Sequence, residues 1–164
     1  MIPIAYSLDS EPLPPEPGKP LPDSDHALRY IGKKHVDNGN VNGSGFMARP
    51  GEKAPSVNWM ECFPAPIDNQ VAEISARKRI KYERRSRLVR INVAHTKQYV
   101  SANAPTPIEL AFLHDPLLPE NDTPEDPSHA VIEGVPTVNT PDAELVQDLF
   151  VDCIIDQFPT VTDK

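Results

Sequence analysis

The amino-acid sequence predicts an α+β domain: a small, mostly antiparallel sheet covered by a C-terminal helix, with a basic helix beside it and a Pro-rich N-terminal arm. Residues 25–63 hold five of the seven Gly and the only Trp, Trp59, and alternate strand-like pieces with turn chemistry. The 20 Pro fall mainly in two clusters, seven in 1–22 and eight in 105–141, which leaves the middle free for regular structure. Residues 140–154 set a broad apolar stripe behind a helix-start signal.

The chain divides into an extended arm, 1–22, and a single domain, 23–164. Within the arm, EPLPPEPGKPLP has polyproline-II character. Pro12 and Pro15, then Pro14 and Pro17, are spaced as the PxxP ligands of Pro-binding domains. The same composition also describes a stiff leader lying along the domain. The arm lacks the basic and apolar regions of a signal peptide, and no apolar run reaches membrane-spanning length. Cys62 and Cys153 form no CxxC pair. A cytoplasmic protein without membrane contact is expected. The low share of apolar residues, 38%, leaves part of the chain uncovered.

Strand-like pieces lie at Leu28–Ile31, Val41–Met47 and Ser56–Phe63, and Asn38-Gly39 signals a hairpin. Gly43 and Gly45 beside Phe46 indicate a bulge or a close backbone approach. In Ser56–Phe63, Val57, Trp59 and Phe63 share one face. A helix is expected over 68–85, capped by Asp68, with Val71, Ile74, Ala76 and Ile80 as a thin stripe. Strands follow at Leu88–Val93, at Ile108–Phe112 and at His129–Glu133, the last two flanking the acidic loop 115–128. Thr140 and Pro141 then open the last helix, whose stripe is Leu145, Val146, Leu149, Phe150, Cys153 and Ile154, with Phe158-Pro159 closing it.

Charge is separated along the chain. Residues 1–97 carry 15 basic and 11 acidic side chains, whereas 98–164 carry one basic and 13 acidic ones. Eight basic residues crowd into Arg77–Arg90 with Glu83 as the sole acid. Arg77, Lys78, Arg79, Lys81, Arg84, Arg85 and Arg87 are therefore the candidate partner-binding residues. They can pair with the acidic half, with a protein partner, or with the phosphate backbone of nucleic acid, the last disfavoured by the net charge of −8.

His26, His35, His129, Glu61 and Cys62 are the chemical groups nearest the sheet. No HxxxH, HxH or HExxH spacing joins them, so no metal site is expected. Cys62 with His35 and His129 has the composition of a nucleophile pair and also that of an ordinary strand thiol.

The order Arg29, Ser56, Glu133, each on or opening a strand, resembles the layout of arginine-type ADP-ribosyltransferases. That resemblance implies NAD as cofactor, Arg29 and Ser56 as its binding residues and Glu133 as the catalytic group. Ser56-Val57-Asn58 stands where that family has Ser-Thr-Ser. The strings HALRYIGKKHVDNGNVNGSGF, SVNWMECF and DPSHAVIEG are also similar to small bacterial proteins with no established activity. The leading expectation is a non-catalytic protein-binding or adaptor module with no cofactor, in a bacterial cytosolic system. A small ADP-ribosyltransferase-like or hydrolytic enzyme, and a phosphate-backbone binder using 77–90, are the alternatives.

Overall fold

In the computed structural model, residues 17–49, 52–137 and 140–160 are described. The PxxP motifs of the arm lie outside the described residues.

Alternation of apolar residues produces a six-stranded sheet in which every pairing is antiparallel. Its strands are β1 (His26–Ile31), β4 (Ser56–Trp59), β5 (Arg87–Asn92), β6 (Ala111–His114), β7 (His129–Glu133) and β8 (Asp156–Pro159), in the order β6-β7-β4-β1-β5-β8. A small hairpin, β2 (Val36–Asp37) with β3 (Asn40–Val41), stands apart from it. Its turn residues Asn38 and Gly39 have φ of 50° and 81°, as a primed turn requires. Among the described residues the α-helices are α1 (Ile67–Ala76), α2 (Val93–Asn103) and α3 (Pro141–Asp152).

The registers Ala27↔Trp59, Ala27↔Ile91, Val57↔Ala130 and Phe112↔Ile132 put these residues on one face. All of them are buried, and Trp59 Nε1 donates to Asp25 Oδ2 at 2.8 Å. Phe46 stacks on Phe150, with ring centroids 5.1 Å apart, and both belong to the same core. Gly43 explains how α3 comes so close: a Cβ there would lie 2.6 Å from Asp148 Oδ1 and 2.9 Å from its backbone nitrogen. The backbone neighbours of α3 are thus the one-turn helix Gly43–Phe46 and helix α2.

Several expectations need correction. The Val41–Met47 strand is a two-residue strand followed by that single turn, and Ser56–Phe63 turns helical after Trp59, at Met60–Cys62. The predicted basic helix does not exist: α1 ends at Ala76 and contains no Lys or Arg. Like charges four apart, Arg77 with Lys81 and Lys81 with Arg85, oppose its continuation. Arg77 instead closes the helix, its Nη1 donating to the Glu73 carbonyl at 2.9 Å and its guanidinium lying 4.7 Å from the Phe63 ring centre. No side chain caps the α1 start, where Pro66 stands, so Asp68 serves only in the first turn. Helix α2 was not expected; Asn92 caps it by accepting from the His95 N–H, and Val93, Thr96 and Val100 are buried. Phe158-Pro159 does not close α3 but extends β8 along β5. Pro159 is tolerated there because β8 is an edge strand.

The last arm residues lie along the opposite edge. Gly18 N donates to His114 O, His114 N to Lys19 O and Leu21 N to Phe112 O, all at 2.8–2.9 Å, and Leu21 is buried. Among the described residues no helix is long and apolar enough to cross a membrane.

Candidate functional site

The second face of the sheet is polar at its centre. Leu28, Asn58 and His129 are in register across β1, β4 and β7, and Tyr30 and Ser56 follow on the same side. Arg49, Glu52 and residues 78–82 come over this face. They leave a cleft of about 140 Å³ lined by Tyr30, Glu52, Ser56, Ile80, Tyr82 and Asp126, among others.

Its polar groups hold one another. The Ser56 hydroxyl donates to Glu52 Oε2, and the Arg49 backbone N–H and Nη1 bind the same carboxylate. Burial alone pushes the Glu52 carboxyl up, but the Ser56 hydroxyl, the Arg49 N–H and the nearby guanidiniums of Arg29 and Arg49 outweigh it, so the net shift is downward. A carboxylate held below its ordinary range is a poor base, so it orients Ser56 without activating it. Deeper in, Asn58 Nδ2 donates to Asp126 Oδ2 at 2.9 Å and to Ser128 Oγ at 2.8 Å. Tyr30 stacks on Tyr82 with centroids 4.9 Å apart.

Arg29 sits on the other side. The β1–β4 ladder stops after Leu28↔Asn58, while β1 continues to Ile31 against β5. Arg29 fills the wedge that this opens. Its Nε donates to Gly45 O (2.9 Å), Nη1 to Ser56 O (2.8 Å) and Nη2 to Met47 O (2.6 Å). The side chain is 1% exposed. Burial, with the charge of Arg49, lowers its pKa to about 9, Glu52 acting in the opposite direction.

Arg29 and Ser56 therefore meet through a backbone carbonyl, and their side chains leave the sheet on opposite faces. Glu133 stands exposed near the end of β7, opposite Ala111 of β6, and shares an open depression with Ser56 and His129. The trio does not converge on one point. Nor do His35, Cys62 and His129. His35 Nδ1 is 2.7 Å from Ser44 Oγ, and His129 Nδ1 donates to the Asp115 carbonyl at 2.8 Å on the far side of the sheet. The Cys62 thiol is buried, which with Asp126 nearby pushes its pKa up to about 12, only partly opposed by Arg77. His26 is engaged by Glu61, Nδ1 to Oε2 at 2.6 Å. Among the described residues no group of three His, Cys, Asp or Glu can hold a metal ion.

The basic segment divides its labour. Arg79 grips the acidic loop, Nη1 on Glu120 Oε2 at 3.1 Å and Nη2 on the carbonyls of Leu118 (2.6 Å) and Pro124 (3.2 Å). Lys78 lies 5.2 Å from the centre of the Tyr82 ring. Arg87 donates to the Ser86 carbonyl, and Arg90 pairs with Asp156 at 2.6 Å. Lys81, Arg84 and Arg85 are exposed, Arg85 with φ of 67°.

The loop 115–128 is itself folded. Leu117 and Asp126 exchange both backbone hydrogen bonds at 2.9 Å, and Glu120 and Thr123 do so at 3.1 and 2.9 Å. Between the two pairs, Leu118 is 81% exposed, and Ile80 beside Arg79 is 40% exposed.

Arg49, Glu52, Tyr30 and Asp126 are absent from the candidates read in the sequence. The one available signal was an arginine at the inward position of an alternating strand, Ala27-Leu28-Arg29-Tyr30-Ile31, which marks a buried charge in need of acceptors. Comparison with known proteins finds no family model, no curated protein and no solved structure that matches this chain.

Proposed function

We propose that this chain is a non-catalytic protein-binding or adaptor module of a bacterial cytosolic system, with α3 as the cover of the apolar face and the Pro-rich arm as an additional contact. The observation that supports it most is Leu118, a large apolar side chain held out to solvent on a loop that two backbone pairs and Arg79 keep in shape. An ordered apolar side chain loses little conformational entropy on docking and is the kind of anchor that binding surfaces use. Exposed Glu120, Asp122 and Glu125 surround it, so the fitting partner has an apolar pocket with a basic rim. Ile80 and the exposed Lys81, Arg84 and Arg85 extend the surface with the opposite charge.

Catalysis has less support, because the Cys62 thiol is raised out of reach of neutral pH and the Glu52 carboxylate is a weak base. The test is affinity capture from the native host with the whole chain and two variants. One is Leu118→Asp; the other lacks only 1–16, which spares the edge contacts of Gly18–Leu21, and has Arg84, Arg85 and Arg87 neutralised. A specific partner held by the parent chain and lost from both variants is the expected result. A partner set unchanged in both variants overturns the proposal.

A further inference from the structure

Behind the 43–49 loop lies a second cavity, of about 340 Å³, lined by Arg29, Lys34, His35, Ser44, Arg49 and Tyr30 among others. The geometry points to this cavity as a binding site for a small phosphate monoester, with its phosphate against Arg29 and Lys34 and its organic body against the Tyr30 ring. The assignment is independent of the protein-binding role above.

Arg29 carries the argument. A guanidinium has five N–H donors. Three of them go to the carbonyls of Gly45, Met47 and Ser56, which orient the group without neutralising it. One N–H on each terminal nitrogen remains, on a side chain that is almost wholly buried and borders the cavity. Glu52, the carboxylate that acts on Arg29 electrostatically, is itself bound by Ser56 and Arg49. A buried cation in this state is left short of countercharge.

The surroundings add donors of the same kind. Lys34 is exposed at the rim, and Arg49 turns Nη2 to the Tyr30 carbonyl at 2.6 Å. Ser44 Oγ and His35 Nδ1 are 2.7 Å apart, and in the tautomer with the proton on Nδ1 the imidazole donates and leaves the Ser44 hydroxyl to donate onward. Burial first, and then the charges of Lys34, Arg29 and Arg49, lower the pKa of His35 at the cavity wall. Glu83 is the acidic group of the lining, and Lys33 lies 3.7 Å from it.

Size and shape set the ligand class. Liquid water occupies about 30 Å³ per molecule, so the cavity holds far more than a tetrahedral oxyanion. Tyr30, with Tyr82 stacked on its ring and the Arg49 guanidinium 5.4 Å over it, leaves its edge as an aromatic wall for the remainder. Bidentate arginine and a point-charge lysine are the usual recognition pair for phosphate.

The full chain is titrated calorimetrically with adenosine monophosphate, ribose 5-phosphate, inorganic phosphate and adenosine, and the His35 ring protons are followed by NMR. Both monoesters should saturate, more tightly than inorganic phosphate, while adenosine should not bind. Lys34→Gln, at an exposed position, should weaken the monoesters about fivefold to tenfold, and Ser44→Ala should weaken them less. Bound monoester should also move the His35 titration upward. Three outcomes overturn the assignment: no saturation by either monoester up to about 10 mM, inorganic phosphate or adenosine binding as tightly as the monoesters, and unchanged monoester affinity in Lys34→Gln.

Discussion

The Arg29 guanidinium donates to the Ser56 carbonyl at 2.8 Å although the two side chains leave the sheet on opposite faces. The bond replaces the ladder hydrogen bond that β1 and β4 lose where they part. Arg29→Met should therefore cost about 3–5 kcal/mol, because it leaves three inward carbonyls short of their donor. Arg29→Lys should recover little, since an ammonium cannot reproduce the planar fork. Urea denaturation of both variants checks this; a lysine variant as stable as the parent would show that charge alone holds the wedge.

Phe150 and Leu145 share the apolar stripe read from the sequence, but only Phe150 is buried, stacked on Phe46, while Leu145 is 53% exposed. Phe150→Ala should lose about 3–5 kcal/mol. Leu145→Ala should stay within about 0.5 kcal/mol of the parent. Thermal or urea unfolding of the pair separates a helix buried along one narrow stripe from one buried broadly.

Alternation and turn chemistry made much of the sheet legible. Val89 and Ile91 point inward as their spacing requires, and Asn38-Gly39 forms its hairpin, because both signals are local. The end of α1 was legible in principle, since a run of like charges at helical spacing opposes a helix. Helix α2 was not, because Thr96 dilutes its apolar face and the helix is stabilised by docking on β5 and α3. The candidate cleft was the least legible. Tyr30, Ser56, Tyr82 and Asp126 line it from separate parts of the chain, and no spacing rule encodes that meeting.

The pH dependence of folding follows from His35. Its folded pKa is lowered from 6.5 by burial and by the cations Lys34, Arg29 and Arg49, with Glu83 bordering the same cavity. The unfolded chain thus binds the proton more readily. The stability contribution is fully present above pH 6.5 and is lost as pH falls from there through the lower folded value. Unfolding free energies measured from pH 7.5 down to 5 should decline, and His35→Asn should flatten that portion of the curve. Glu52 acts in a separate, more acidic window, below its ordinary value of 4.5.

Cys62 and Cys153 should be unreactive in the folded chain. Burial raises the first thiol to about 12 and the second to about 11 from an ordinary 9.0. At pH 8 the Cys62 thiolate is then about a thousandfold scarcer than in an exposed cysteine. Iodoacetamide should modify neither residue in buffer and both in urea. Rapid native modification of Cys62 would return it to consideration as a nucleophile.

Arg79 tests how the acidic loop keeps its shape. Its partner Glu120 is 71% exposed at the side chain, so the ion pair is well screened and contributes little. The bonds to the Leu118 and Pro124 carbonyls are different, since they join two points of the loop through one guanidinium. Arg79→Ala should lower hydrogen-exchange protection of the Glu120 and Thr123 amides about tenfold, while the Leu117 and Asp126 amides, nearer the sheet, change less. Glu120→Gln should leave protection nearly unchanged, and so should added salt. Arg79→Lys should behave like the alanine variant, because one ammonium cannot serve both carbonyls in that geometry. If salt instead reproduces the alanine phenotype, the loop is held by charge, and the ordered display of Leu118 depends on ionic strength.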